Sequence, residues 1–585
     1  MTELHVLERA GVLSVLDVEL ARGLARIAGE RREEMLLAVA LASRNLQQGH
    51  VCLDLSRTHP DLTEQAAAAG VALPSSDALL SVVRSSALVS ESALAETSAR
   101  PLVIDDRGRL YLARYHDHER ALAVRLRDLA TRADTKAAVP ADVLDALFPP
   151  RRDDRPDLQR RAALSARTRS LSVIVGGPGT GKTSTVVKLL ALLAHDAKQA
   201  ALPLPRVLLV APTGKAAQRL TESIEQARAK LAIDPDIAAW IPSGAQTIHR
   251  ALGSIEGSLT HFRHHRGRPL SCDVLLLDEA SMVDLALMRR LLDAVPEDAR
   301  VIMLGDPDQL VSVEAGGVLT DLCRAAERGG PLAACVTRLT ESHRYAPDSG
   351  IAALSEAIRT QDVERALALL SSDLTDIERA PGVDDRGAPR VLLSQAKKGY
   401  ADLKAPTLEA KLSALSRFRV LCAHRKGRDG VEAINAELTR ALTTATGRQG
   451  EHYPGRPILI TQNDYGTSLF NGDVGVLHTE GAKRDLALYL PTGDRTRRVA
   501  LGRLPAHETV YAMSVHKSQG SEFDRVAVVL PERVSPVLTR ELLFTAITRA
   551  RSAVTIYAST EVLRATIAQR VERESGLIDR LVVEV

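Results

Sequence analysis

Apolar residues recur three and four positions apart through VELARGLARIAGERREEMLLAVALASRNL, residues 18–46. That spacing predicts packed amphipathic helices in an Ala-, Leu- and Arg-rich stretch reaching about residue 147. It carries no catalytic constellation. A module that docks another protein and a helical domain that only covers its neighbour fit the pattern equally. PPRRDDRPD (149–157) then mixes prolines with charges of both signs, as linkers do. Beyond it the pattern changes to short continuous apolar runs: LSVIV (171–175), RVLLVAP (206–212), DVLLLD (273–278) and RVIMLGD (300–306). Unbroken runs of this kind predict parallel strands buried on both faces, alternating with helices in an α/β domain. A second set follows in FRVLCAH (418–424), TVYAMSVHK (509–517), RVAVVLP (525–531) and AVTIYA (553–558). Between 440 and 508, closely spaced Asn-Asp, Asn-Gly and Gly-Asp turn signals predict a small β insertion. The expected domains are therefore 1–147, 148–337 and 338–585, the last with the insertion at about 440–508.

Composition narrows the choice of function. In 585 residues, 76 basic and 73 acidic side chains leave a net charge of only +3, so nucleic-acid contact has to come from local patches. The five cysteines (Cys52, Cys272, Cys323, Cys335, Cys422) form no C-x-x-C pair, which argues against a disulfide framework or a zinc ribbon. No apolar run approaches membrane-spanning length and the start lacks a signal pattern, so a cytoplasmic protein is expected. Aromatic residues make up 3% of the chain, too few for a continuous base-stacking platform. Phe418, Tyr465 and Phe470 are candidate stacking rings, with core packing the simpler reading of each. The basic run HFRHHRGRPL (261–270) fits a contact with DNA or a partner as well as it fits a solvated loop.

The strongest chemical signal is GGPGTGKT, Gly176 to Thr183, between a predicted strand and a predicted helix. Gly176, Gly177, Pro178, Gly179, Thr180 and Gly181 make a loop whose backbone N–H groups converge on phosphates, and the helix that follows directs its positive end at the same point. Lys182 would reach the β- and γ-phosphates and the Thr183 hydroxyl a Mg²⁺ ion. VLLLDEASM places Asp278, to hold the same metal, and Glu279, to polarise the attacking water, at the end of another strand. An acidic helix cap explains either residue singly but not the pair. Together the two motifs specify an NTPase.

Further polar motifs separate a motor from a switch or a small-molecule kinase. GDPDQL (305–310) contributes Gln309, LTESHR (339–344) contributes Arg344, and LLFTAITRAR (542–551) contributes Arg549. Arginine brought from a facing domain neutralises charge on the transferring phosphoryl group. With Gln159 in DLQRRAAL, APTGKAAQRL (211–220), TIHRALG (247–253) and SVHKSQGSEF (514–523), this set resembles the superfamily 1 helicases. Within that superfamily the wording is most similar to the RecD family, carried by VIVGGPGTGKTST, VLLVAPTGKAAQRLTES, GDPDQLVSVEAGGVL, LFNGDVGVL and MSVHKSQGSEFD.

The resemblance implies two RecA-like domains, a helical N-terminal domain and an SH3-like insertion. It implies Gln159 reading adenine, Gly520 and Glu522 facing nucleotide, and Thr213, Lys215, His249, His516 and Ser518 facing DNA. It further implies an ATP- and Mg²⁺-dependent 5′→3′ helicase that acts on single-stranded DNA at duplex ends, in a heterotrimer with RecB- and RecC-like subunits. The nuclease would lie on another subunit, and the setting would be the bacterial nucleoid. A stand-alone RecD-like helicase and a nucleotide-switched scaffold subunit are the alternatives. The helix-hairpin-helix repeats usual in the stand-alone enzymes are not evident.

Overall fold

The computed structural model describes residues 3–582, apart from 95–98, 135–137, 152–154, 232–233, 256, 259–260, 347, 384–387, 444–451, 465, 481–484 and 493–494. The candidate ring Tyr465 and the centre of the linker, 152–154, lie outside the described residues.

The first α/β domain is a six-stranded, fully parallel sheet. Its order is Val336–Leu339, Leu171–Gly176, Arg300–Gly305, Val274–Leu277, Val207–Ala211, Gln246–Thr247. Alternate residues of each run face opposite cores, which is why the runs read as continuously apolar. Val173, Leu275 and Val301 enter one core together with Leu122, Leu126, Met288 and Leu322. Ile174, Leu276 and Ile302 enter the other, beneath Val186, Leu189 and Leu190 of the helix Lys182–Gln199. The second domain repeats the scheme with five parallel strands in the order Ile377–Ala380, Ala550–Tyr557, Phe523–Val529, Phe418–Cys422, Ala512–Ser514. In the first sheet the phosphate loop, Asp278 and Gln309 follow the carboxyl ends of strands, where ligands of open parallel sheets bind. Glu522 and Arg549 of the second domain instead immediately precede strands.

Several boundaries differ from those the pattern predicts. The N-terminal unit has its own core, running from Leu4 to Leu110. It also contains a four-stranded sheet (Leu53–Asp54, Arg109–Leu112, Leu102–Ile104, Val89–Glu91) whose strands are too short to show a period. Helix Ala113–Thr131 belongs with the first α/β domain, since Leu122, Leu126 and Leu129 pack in its core, and Leu144, Leu147 and Phe148 enter the opposite core. A division at 337 falls inside the edge strand Val336–Leu339, so the first domain extends past it. The C-terminal helix Leu577–Val582 leaves the second domain and packs Leu577 and Leu581 against the first. The insertion is an antiparallel sheet in the order Arg495–Ala500, Asp485–Thr492, Val474–Glu480, Pro457–Ile460, His507–Thr509. Among the described residues no pairing joins its two edge strands.

Candidate nucleotide and DNA site

The loop Gly176–Gly181 links the strand Leu171–Gly176 to the helix Lys182–Gln199, whose N-terminus opens on the domain cleft. Two of its glycines are dictated by neighbours as well as by φ. Gly179 (φ +78°) has the Arg344 Cβ only 2.4 Å from where its own Cβ would stand, and Gly181 (φ +83°) has the Gln159 amide nitrogen at 2.3 Å. Any side chain at either position would displace Arg344 or Gln159. Gln159 Nε2 donates to the Thr180 carbonyl (3.3 Å), and the Thr180 hydroxyl donates to the Gly177 carbonyl (2.9 Å). The Lys182 ammonium donates to the carbonyls of Gly176 (2.6 Å) and Gly177 (3.0 Å), at the mouth of the loop. Thr183 follows in the first turn of the helix. Beside Gln159 lies a cavity of about 160 Å³, lined by Phe148, Lys188, Leu339 and His343 among others, with Lys188 4.7 Å over the Phe148 ring.

Asp278 follows the strand Val274–Leu277, and the Glu279 N–H donates to its carboxylate at 2.9 Å. Glu279 adopts a left-handed backbone (φ +52°), a conformation that costs a residue with a side chain roughly 1–2 kcal/mol. Burial, and then the Glu279 charge, push Asp278 up to about 7. Burial pushes Asp306 to about 6, with the nearby Lys182 opposing the shift. Carboxylates held this reluctantly in their charged form favour a cation. A hydroxyl and a carboxylate are hard oxygen donors suited to Mg²⁺, which takes few protein ligands and completes its shell from phosphate and water. Among the described residues no group of three His, Cys, Asp or Glu side chains gathers to hold a metal unaided.

The second domain brings its arginines to the same place. Asp306 accepts from the Gln309 amide (2.9 Å), and the Gln309 oxygen accepts from the Arg549 guanidinium across the cleft (2.8 Å). Arg549 is buried, also donating to Thr545 (3.1 Å) and Ser521 (3.4 Å) carbonyls. The segment carrying Arg344 is pinned to the phosphate loop: Ser342 Oγ donates to the Pro178 carbonyl (3.0 Å) and the His343 N–H to that of Gly179 (2.9 Å). Arg344 itself donates to the Thr548 carbonyl (2.9 Å) and pairs with Glu522.

The expected nucleotide and DNA contacts fare unevenly. Glu522 is not open toward the phosphate loop, because Arg219, Arg344 and Arg551 all pair with it. Gly520 rests against Ala216, 3.7 Å from the position of its missing Cβ. Ser518 corrects its assignment. It is fully buried, and its hydroxyl donates to the Val515 carbonyl (2.7 Å), closing a turn instead of facing DNA. Thr213 caps the helix Gly214–Lys230 by accepting from the Ala216 N–H (3.2 Å). Lys215, on the same helix, is half-buried in the cleft, and burial lowers its ammonium to about 8. His249 is exposed, edge-on to Phe262 at 5.8 Å between ring centres. His516 is half-buried and held below the usual imidazole range, by burial and then by the Arg573 charge. Phe418 is a core ring against Tyr400, whereas Phe470 lies against Gly214 at the cleft. Sequence reasoning missed Arg219. Its position one helical turn after Lys215 in APTGKAAQRL is the signal that could have found it.

A phosphate loop on one parallel domain, with Arg344 of the connecting segment beside it and a buried arginine of the second domain on Gln309, is the arrangement of a two-domain P-loop NTPase. The first α/β domain matches the family model described as "AAA domain" (residues 159–315), and residues 509–557 match the "UvrD-like helicase C-terminal domain". Residues 9–111 match the N-terminal domain of RecBCD enzyme subunit RecD, ending where the separate N-terminal core ends. RecBCD enzyme subunit RecD of Mycobacterium tuberculosis is 41% identical over 579 residues, covering 98% of this chain and 96% of that one. ATP-dependent RecD2 DNA helicase of Deinococcus radiodurans is 33% identical, over 70% of this chain and 50% of its own length. A Bacteroides Pif1 solved bound to single-stranded DNA is 16% identical with a TM-score of 0.39, covering 69% of this chain and 93% of that one. The chain belongs to the RecD family of RecBCD enzyme subunits, and it is an ATP-dependent helicase. Among the described residues no helix is long and apolar enough to cross a membrane.

Proposed function

We propose that this chain is the 5′→3′ translocating subunit of a RecBCD-type heterotrimer, moving on single-stranded DNA at a duplex end and leaving the nuclease to another subunit. The observation that carries the reading is the 2.8 Å bond from Arg549 of the second domain to Gln309 of the first, which brings a buried cation to the carboxylates beside Lys182. ATP fits between the loop Gly176–Thr183 and the pair Arg344 and Arg549. Gln159 and the cavity lined by Phe148 and Lys188 take the base. Glu279 orients the attacking water, and Gln309 links phosphate state to Arg549. Mg²⁺ on Thr183 and Asp278 would neutralise charge on the transferring phosphoryl group. Thr213, Lys215, His249 and His516 contact the DNA strand, largely through phosphate given so few rings. Closure of the cleft shifts one domain along the strand, and cleavage lets the two domains part again.

The coverage of relatives supports the heterotrimer: the match to a RecD subunit runs through both chains, whereas the match to the RecD2 helicase spans half of that protein. The N-terminal unit, with its separate core, is the docking module for RecB- and RecC-like partners. The setting is the cytoplasm, at the nucleoid. In the assembled complex, Lys182→Gln should lower the DNA-stimulated ATPase of this subunit by at least about a hundredfold and abolish its strand separation, while assembly survives. Unchanged 5′→3′ unwinding by that variant would defeat the motor reading. Co-purification of the untagged chain with RecB- and RecC-like subunits tests the partners.

A further inference from the structure

Lys215 and Arg219 are one turn apart on the helix Gly214–Lys230 and therefore share a face. The first lies in the cleft near Asp473 of the insertion. The second crosses the cleft to Glu522. That carboxylate also receives Arg344, from the segment joining the two domains, and Arg551 at 3.1 Å, from the second domain itself. Arg219 and Arg344 meet one oxygen of Glu522 and Arg551 the other, so three cations share a single negative charge. Of the three, Arg219 is the one anchored on the helix that begins with the expected DNA contacts. Within its own domain Glu279, the water-orienting residue, and Asp278 attract it, while Arg549, Arg344 and Arg551 repel it.

We infer that Arg219 is a positioning residue that couples DNA-dependent closure of the cleft to hydrolysis, by exchanging between Glu522 of the second domain and Glu279 of the first. With the cleft shut, Glu522 holds Arg219, and Glu279 is released to orient water. When the second domain swings away it carries Glu522 with it, and the Arg219 cation turns to Glu279 of its own domain. A neutralised Glu279 is a poor base, so ATP is spared until DNA closes the cleft again. The helix serves both ends of this link, because DNA phosphate on Lys215 and Thr213 fixes the turn from which Arg219 projects.

The inference rests on the ATPase reading above and is separable from it. The full chain, in its complex, is assayed with and without oligo(dT), reading the ratio of DNA-stimulated to DNA-free ATPase together with equilibrium affinity for a fluorescent ATP analogue. Arg219→Gln is expected to lower that ratio by about tenfold or more, with analogue affinity within threefold of the parent. Arg219→Lys should recover part of it, since charge is kept and the fork lost. Glu522→Gln should reproduce the lowered ratio by removing the other half of the contact, and it decides the matter should Arg219→Gln fail to fold. A parental ratio in Glu522→Gln and Arg219→Lys overturns the inference. So does a parallel fall of both rates in Arg219→Gln, which marks a purely structural role. Lys182→Gln serves as control: if it keeps its ATPase, the reading of the site fails, whatever Arg219 does.

Discussion

Two seams in this molecule are each organised around a glutamate, and they are built for opposite purposes. At the domain cleft, Glu522 faces three arginines, and Arg549 and Lys215 lie near one of them, Arg219. The guanidinium groups on Glu522 outnumber its single charge, and Arg551 remains half-exposed. At the other seam the C-terminal segment crosses to the first domain, and Glu119 is fully buried. Its oxygens accept from the Ser575 hydroxyl (3.1 Å), the Gly576 N–H (2.9 Å), the Arg580 guanidinium (2.9 Å) and the Tyr111 hydroxyl (3.2 Å). Four donors saturate one carboxylate and a single cation balances it. Beside it, Asp579 accepts from Arg107 (2.8 Å), Arg109 (2.7 Å) and Arg328 (3.4 Å). Glu574 bonds Asn45 (2.9 Å) and the Asp54 N–H (3.1 Å), tying the N-terminal unit to the same segment. A seam with surplus charge has a use for an anion and a reason to move. The Glu119 carboxylate, with four matched donors and one cation, has neither.

This contrast predicts different phenotypes for single substitutions. Arg549→Ala removes the cation from the moving seam. DNA-stimulated ATPase should fall by about 10³-fold or more, the scale of an arginine supplied to a transferring phosphoryl group, with little change in melting temperature. A loss under tenfold would take Arg549 out of the phosphate's reach. Glu119→Gln attacks the static seam and leaves Arg580 without its carboxylate. Breaking a buried pair in this way costs about 3–4 kcal/mol, so thermal unfolding followed by circular dichroism should shift down by several degrees. The ATPase of the surviving folded molecules should stay near the parental rate. Reversal of these two phenotypes would mean that the charge arrangement does not distinguish the seams.

The moving seam was legible in the sequence and the static one was not, for a physical reason. Phosphate chemistry needs particular residues at short fixed spacings, so GGPGTGKT, DEAS and GDPDQL reveal strand ends, loop and carboxylates together. Both parallel sheets were visible because double-sided burial leaves continuous apolar runs. Contacts such as Glu119 with Arg580 join residues 461 apart and leave no local pattern. The edge strands Val336–Leu339 and Ile377–Ala380 were missed because each is four residues long and carries charge. Ser518 shows the limit of transfer by motif: position in SVHKSQGSEF suggested DNA, while the turn that builds the motif uses the hydroxyl internally. Arg219 shows the converse, a cation inside a recognised motif whose partner lies in another domain.

The smallest effect is expected from Asp321, buried behind the static seam with Ser575, Glu119 and Arg324 as its polar surroundings. Burial raises its carboxyl from 3.8 to about 7, against the Ser575 hydrogen bond and the Arg324 charge, which lower it. Between these values the native chain keeps a proton that the unfolded chain releases, so this group's contribution to stability falls as pH rises toward 7 and is flat above about 8. Asp321→Asn keeps the neutral shape at every pH and removes that slope. Integrated from pH 6 to 8, the variant should gain about 1–1.5 kcal/mol on the parent. His116 and His118, both lowered to about 4 by burial, impose an opposite slope in parent and variant alike, so the difference between the two isolates the aspartate. Urea unfolding at pH 6, 7 and 8 measures it. A pH-independent difference would mean that Asp321 is ionised in the folded chain across this range, and that the static seam, like the cleft, tolerates an unbalanced charge.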